Sequence, residues 1–124
     1  MLTVLSLAVV LTASADPTAA APPAPPVHTY ASLALAPAGD RLASIENQQS
    51  LTSAEMLHGP VIIRSARDGH VLKSIDPCAA CSYSGLAWSA DGKALALLAT
   101  DSTAGTVQIL LAREGGVKIL ATVN

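Results

Sequence analysis

Short apolar runs, each about the length of a strand, alternate along this chain with clusters of turn-forming residues. Ser32 to Ala36 is apolar, and Pro37-Ala38-Gly39-Asp40 then turns the chain into Arg41 to Ile45. Val61 to Ile63 leads through Arg67-Asp68-Gly69-His70 into Val71 to Ile75. Gly85 to Ser89 leads through Ala90-Asp91-Gly92-Lys93 into Ala94 to Ala99, and Gly105 to Ala112 through Arg113-Glu114-Gly115-Gly116 into Val117 to Ala121. Every break carries glycine, for which a positive φ costs little. Closely spaced short strands separated by such turns predict an all-β sandwich, barrel or propeller. The runs make eight strands in two groups of four.

The grouping rests on an internal repeat. Leu33 to Ile45 aligns without gaps on Leu86 to Leu98, an offset of 53 residues. Leu33, Ala34, Gly39, Leu42 and Ala43 recur as Leu86, Ala87, Gly92, Leu95 and Ala96. The later hairpins, around Asp68-Gly69 and around Gly115-Gly116, also correspond. Their offset is shorter because Glu46 to Gly59 is inserted in the first unit. That stretch is rich in Gln, Ser, Asn and Thr and reads as a surface loop. A four-stranded repeat of about 50 residues is the size of a propeller blade. An eight-stranded sandwich containing a duplication is the alternative. The expected fold is therefore all-β, two four-stranded antiparallel blades of a partial β-propeller, with blade one at about 30–76 and blade two at about 82–122.

The N-terminal quarter reads differently. Leu2 to Leu11 is apolar but too short to span a bilayer as a helix. Ala13-Ser14-Ala15 follows, an A-x-A pattern of the kind a signal peptidase cleaves. Residues 1–15 are expected to be a signal peptide, although its n-region lacks Lys and Arg; the competing reading is an N-terminal strand or helix. Residues 16–26, DPTAAAPPAPP, hold five of the eight prolines. Proline fixes φ and lacks an N–H, so this is an extended linker rather than a helix or interior strand. The folded part, residues 27–124, should begin near Val27. The protein is then exported, periplasmic or secreted, with no stable membrane span after cleavage.

Charge and aromatic content narrow the partners. Seven Lys and Arg face nine Asp and Glu, and aromatics make up 2% of the chain. That balance and the scarcity of rings argue against a phosphate-neutralising face and base-stacking platforms, so nucleic acid is not an expected partner.

The repeated segment resembles the Ser-Pro-Asp-Gly-x-x-Leu-Ala motif of WD-like propeller blades, found in prolyl oligopeptidase-family serine peptidases and in TolB-type periplasmic propellers. The first copy, Ala36 to Ala43, keeps Pro37 and Gly39. The second, Ser89 to Ala96, keeps Ser89, Asp91 and Gly92. Pro or Ser opens such a turn, Asp bonds back to the backbone, and Gly takes the left-handed position. With the signal peptide, the linker and the Cys-bearing segment before Gly85, the chain looks closest to exported peptidases of the dipeptidyl or acylaminoacyl type. The resemblance implies a propeller that gates peptide substrates on their way to a hydrolase domain. It also implies further blades, since a closed propeller takes at least about four. No Gly-x-Ser-x-Gly elbow is present, and Ser82, Ser84 and Ser89 near Gly85 lack its spacing. We therefore expect a truncated gene product or a partial sequence without activity of its own, whose partners are the missing blades, the hydrolase domain and, through the parent enzyme, a peptide. The alternative is a non-enzymatic TolB-like protein-interaction module.

No catalytic, cofactor-binding or metal-ligating residue is assigned. Cys78-Ala79-Ala80-Cys81 carries three readings: a disulfide stapling the loop between the blades, a pair of free thiols, or a redox or metal site. Export favours the disulfide. A zinc site needs two more ligands, and His28, His58 and His70 lack ligand spacing with one another and read as surface residues. Trp88 is expected to pack between blades. Tyr30 and Tyr83, one repeat apart, are expected to be equivalent packing positions, and Glu46 a solvated loop carboxylate.

Overall fold

The structure, a computed structural model, describes residue 20, residues 27–49 and residues 58–124. The expected signal peptide, all but one residue of the linker and the middle of the insertion lie outside the described residues. Among the described residues eight strands are present: β1 (Val27–Leu35), β2 (Arg41–Gln49), β3 (Val61–Ser65), β4 (Val71–Ile75), β5 (Ser82–Trp88), β6 (Leu95–Asp101), β7 (Thr106–Arg113) and β8 (Gly116–Val123). They form two four-stranded antiparallel sheets, ordered β1-β2-β3-β4 and β5-β6-β7-β8. Over the described residues the fold is all-β, two blade-like meanders without a closed barrel. No helix among the described residues is long and apolar enough to cross a membrane.

The two sheets repeat each other in detail. Gly39 N–H bonds Ala36 O at 2.8 Å and Ala36 N–H bonds Arg41 O at 2.8 Å; Gly92 N–H bonds Ser89 O at 2.9 Å and Ser89 N–H bonds Ala94 O at 2.8 Å. Gly39 and Gly92 hold φ of 72° and 67°, the left-handed region where a Cβ is costly. The turns differ in what sets them. Pro37 supplies a fixed φ in the first. In the second, Asp91 Oδ1 accepts from Ser89 Oγ at 2.6 Å and from Lys93 N–H at 3.0 Å. Both first strands also break register at the same place, between Ala31 and Ala34 in β1 and between Ser84 and Ala87 in β5. At that break Ser32 has φ 51° and Gly85 φ 63°.

The core lies between the sheets. Ala43, Ile45, Val61, Ile63 and Ile75 of the first sheet meet Tyr83, Leu95, Leu97, Ala99, Leu110 and Ala112 of the second. Strand alternation turns the neighbouring residues to the outer faces. The register then shows a further repetition. On the first sheet the inner face reads Ala43 and Ile45 on β2, paired with Ile63 and Val61 on β3, which pair with Lys73 and Ile75 on β4. On the second sheet the outer face reads Ala96 and Leu98 on β6, paired with Leu111 and Ile109 on β7, which pair with Lys118 and Ala121 on β8. The same pattern is covered in one sheet and open in the other: Val61 is 0% exposed and Ile109 37%.

The inserted segment is not a loop from its start. Glu46 to Gln49 continue β2 and pair with Val27 to Tyr30. Extending the hairpin satisfies backbone groups that a polar composition alone does not reveal.

Candidate functional site

The seam between the sheets is tied at its turn end by three bonds that cross it. Trp88 Nε1–H donates to Ala34 O at 3.0 Å, Arg41 Nη2–H to Gly92 O at 2.8 Å, and Lys73 Nζ to Arg113 O at 2.6 Å. The Arg41 guanidinium also lies 5.0 Å from the Trp88 ring centre, within cation–π range. Trp88 packs against the inter-sheet core, so its large ring fills the seam. Beside it opens a groove of about 760 Å³, floored by apolar side chains such as Ile63 and Leu95 and rimmed by Arg41, Lys73, Lys93 and Arg113. Two acids share the rim, Asp91 and Glu114. Hydrogen bonds from Ser89 and Lys93 hold the Asp91 carboxyl below its usual range. Four cations against two anions leave the rim basic.

On the outer face of the first sheet Glu46 is buried, 6% exposed, inside β2. Its oxygens accept from Arg64 Nε at 2.7 Å and Nη2 at 2.6 Å, and from Ser44 Oγ at 2.8 Å; His28 Nε2 lies 3.1 Å away. The expected solvated loop carboxylate is thus a fully partnered one. The two-pronged Arg64 bond outweighs desolvation and lowers its pKa from 4.5 to about 2. The same pair raises the Arg64 pKa. A carboxylate so held is a poor acid or base near neutrality.

The three histidines expected at the surface each have a carboxylate partner. His28 also stacks on Tyr30, and His70 Nδ1 lies 2.6 Å from Asp68 Oδ1. Bonds from Ser65 and His70 lower the Asp68 pKa. His58 joins its ring to Cys81 O and, at 2.7 Å, to Asp76 Oδ1. Among the described residues no serine or cysteine side chain is hydrogen-bonded to a histidine, so no nucleophile–base pair is assembled. Tyr30 and Tyr83 are equivalent in register but not in packing. Tyr30 is 56% exposed on an outer face, while Tyr83 is 7% exposed on the inner one.

Tyr83 organises the loop between the sheets. Its oxygen accepts Cys78 N–H at 2.9 Å, and its O–H has Asp76 Oδ1 at 3.0 Å and Cys78 O at 3.1 Å within reach. Burial, with the Asp76 carboxylate adding, pushes its pKa up to about 12. Cys78 and Cys81 form a disulfide, with Cα atoms 5.3 Å apart. Asp101, at the end of β6, brings a carboxylate oxygen within 4.8 Å of both sulfurs. Asp101 carried no signal in the sequence. It lies 20 residues past Cys81, and only the β5–β6 pairing of Ser82 with Thr100 brings the two together.

No protein-family profile, curated protein or solved structure matches the chain.

Proposed function

We propose that the chain is the substrate-gating propeller portion of an exported prolyl oligopeptidase-family serine peptidase, with catalysis residing in a hydrolase domain outside these residues. One observation carries the reading: a complete four-stranded unit occurs twice with the same turn bonds, the same register break and the same apolar face. Repetition of one sheet about an axis is how a propeller is built. In such an assembly the open face of Ile109 and Leu111 receives the next blade, as the face of Val61 and Ile63 receives the second here. The gate passes peptides by size, and this chain alone hydrolyses nothing.

The basic rim of the inter-sheet groove favours a second reading, a non-enzymatic TolB-like module that binds an acidic partner protein. The encoding DNA past the codon for Asn124 separates the two. A reading frame that continues through further blades into a Gly-x-Ser-x-Gly hydrolase domain is the expected result. Further blades with no hydrolase domain would overturn the peptidase reading in favour of the binding module. Peptidase activity that stays with residues 16–124 through purification would refute both.

A further inference from the structure

The loop between the sheets and the end of β6 bring together three groups of metal-ligating chemistry that the gating role does not use. Cys78 and Cys81 are three residues apart in a tight turn, closed by Cys81 N–H to Cys78 O at 3.1 Å. Asp101 sits one rung along from the Ser82–Thr100 pair, on the same inner face as Cys81. Its Oδ1 accepts N–H groups from Thr103 at 2.9 Å and Ala104 at 3.0 Å, which fix the carboxylate in place. Among the described residues no Lys, Arg or His pairs with it.

We propose that reduction of the Cys78–Cys81 disulfide opens a three-ligand site for a thiophilic divalent cation of the zinc type. Its ligands are the two thiolates and the Asp101 carboxylate. Tetrahedral coordination with Zn–S near 2.3 Å and Zn–O near 2.1 Å sets donors about 3.5–3.8 Å apart. The three donor atoms already lie within 4.8 Å of one another, so separation of the sulfurs and a small rotation of Asp101 suffice. Contacts other than the S–S bond also hold the backbone around them. Tyr83 holds Cys78 through its N–H and C=O, and His58 holds the Cys81 carbonyl. The loop therefore keeps its shape when the bond opens, which is what a preorganised site requires.

The disulfide takes up two electrons and two protons to give two thiols. A phosphine reductant supplies the electrons and leaves as its oxide, with oxygen and protons drawn from one water. A divalent cation that binds the two sulfurs as thiolates displaces both protons. A small-molecule disulfide then reverses the step: it accepts two electrons as two thiolates, the sulfurs rejoin, and the cation leaves. The site is independent of the peptidase reading.

The test uses the full chain and cobalt(II) as a spectroscopic stand-in for zinc. After phosphine reduction, Co²⁺ should give a thiolate-to-cobalt charge-transfer band and tetrahedral visible bands, both bleached by Zn²⁺. The oxidised chain should give neither. Asp101→Asn should weaken Co²⁺ binding by about tenfold or more, and Cys78→Ser should remove most of the charge-transfer band. Absence of the band in the reduced chain would overturn the proposal, as would unchanged affinity in Asp101→Asn. A reduced chain that loses its β circular dichroism and does not regain it with Co²⁺ would overturn it too.

Discussion

Replacing Ser32 with glycine changes one atom group at the point where the first strand breaks register, and the repeat supplies its own control. Ser32 is the sole non-glycine residue of positive φ among the described residues, at 51°. Its equivalent in the second sheet is Gly85, at 63°. A left-handed conformation costs an L-residue about 1–2 kcal/mol. Glycine avoids that cost but loses about 0.5–1 kcal/mol more chain entropy on folding. The difference makes Ser32→Gly stabilising by about 0.5–1 kcal/mol. Ser32 is exposed and forms no side-chain hydrogen bond to another described residue, so little else is lost. The reverse change has the opposite sign and a larger size. Gly85→Ser meets the left-handed cost and places a Cβ 3.3 Å from Leu98 Cδ1, for a loss of about 1–3 kcal/mol. Urea unfolding followed by the single tryptophan, Trp88, reads both changes as midpoint shifts at constant m-value. A Ser32→Gly midpoint below wild type, or a Gly85→Ser midpoint equal to it, would refute the reasoning.

Acid should weaken the fold through Glu46. Its carboxyl titrates near 2 when folded and at an ordinary 4.5 when unfolded, so its contribution is complete above about pH 4.5 and fades as pH falls towards 2. Glu46→Gln should flatten that part of a stability–pH curve and lower stability at pH 7, because Arg64 loses its counter-charge. At Gly59 a Cβ would collide with Asn47 Oδ1 and lie 2.7 Å from Glu46 O. Gly59→Ala should therefore cost about 1–3 kcal/mol by differential scanning calorimetry, and Asn47→Gly should recover part of it. Val61 and Ile109 occupy the same position in the two sheets, so lysine at each compares a covered site with an open one. Val61→Lys should abolish the cooperative unfolding transition. Ile109→Lys should stay within about 1 kcal/mol of wild type; equal damage from both would contradict the open outer face.

The strands were legible because their two requirements lie close together in sequence: an apolar run of the right length and a glycine turn beside it. Gly39 and Gly92 announce the turns they make, and Trp88 in an alternating run announces its place in the seam. What the sequence hid was pairing at a distance. Glu46 sits in a polar stretch and reads as loop. Its burial depends on Arg64, which is 18 residues away and becomes its neighbour only when β2 pairs with β3. Tyr30 and Tyr83 stand at equivalent positions, and local pattern could not show that one faces the seam and the other the outside. Asp101 needed the β5–β6 register to come beside the disulfide.

The inner and outer faces carry this further. A constant offset of 53 residues links β1 and β2 to β5 and β6, but β3 lies only 48 residues before β7 because the first unit holds an insertion. Sequence alignment at fixed spacing therefore lost the match of Lys73 with Lys118. Register restores it, since each lysine pairs with the residue that faces the equivalent alanine, Ala43 or Ala96. Lys73 spends its ammonium on the Arg113 carbonyl across the seam, a contact that exists only because a second sheet covers the first. Lys118 stands in the same place on a face that nothing among the described residues covers. On the proposed propeller reading, a lysine at the same place on both apolar faces gives both the same task, to meet another sheet and cap its last turn.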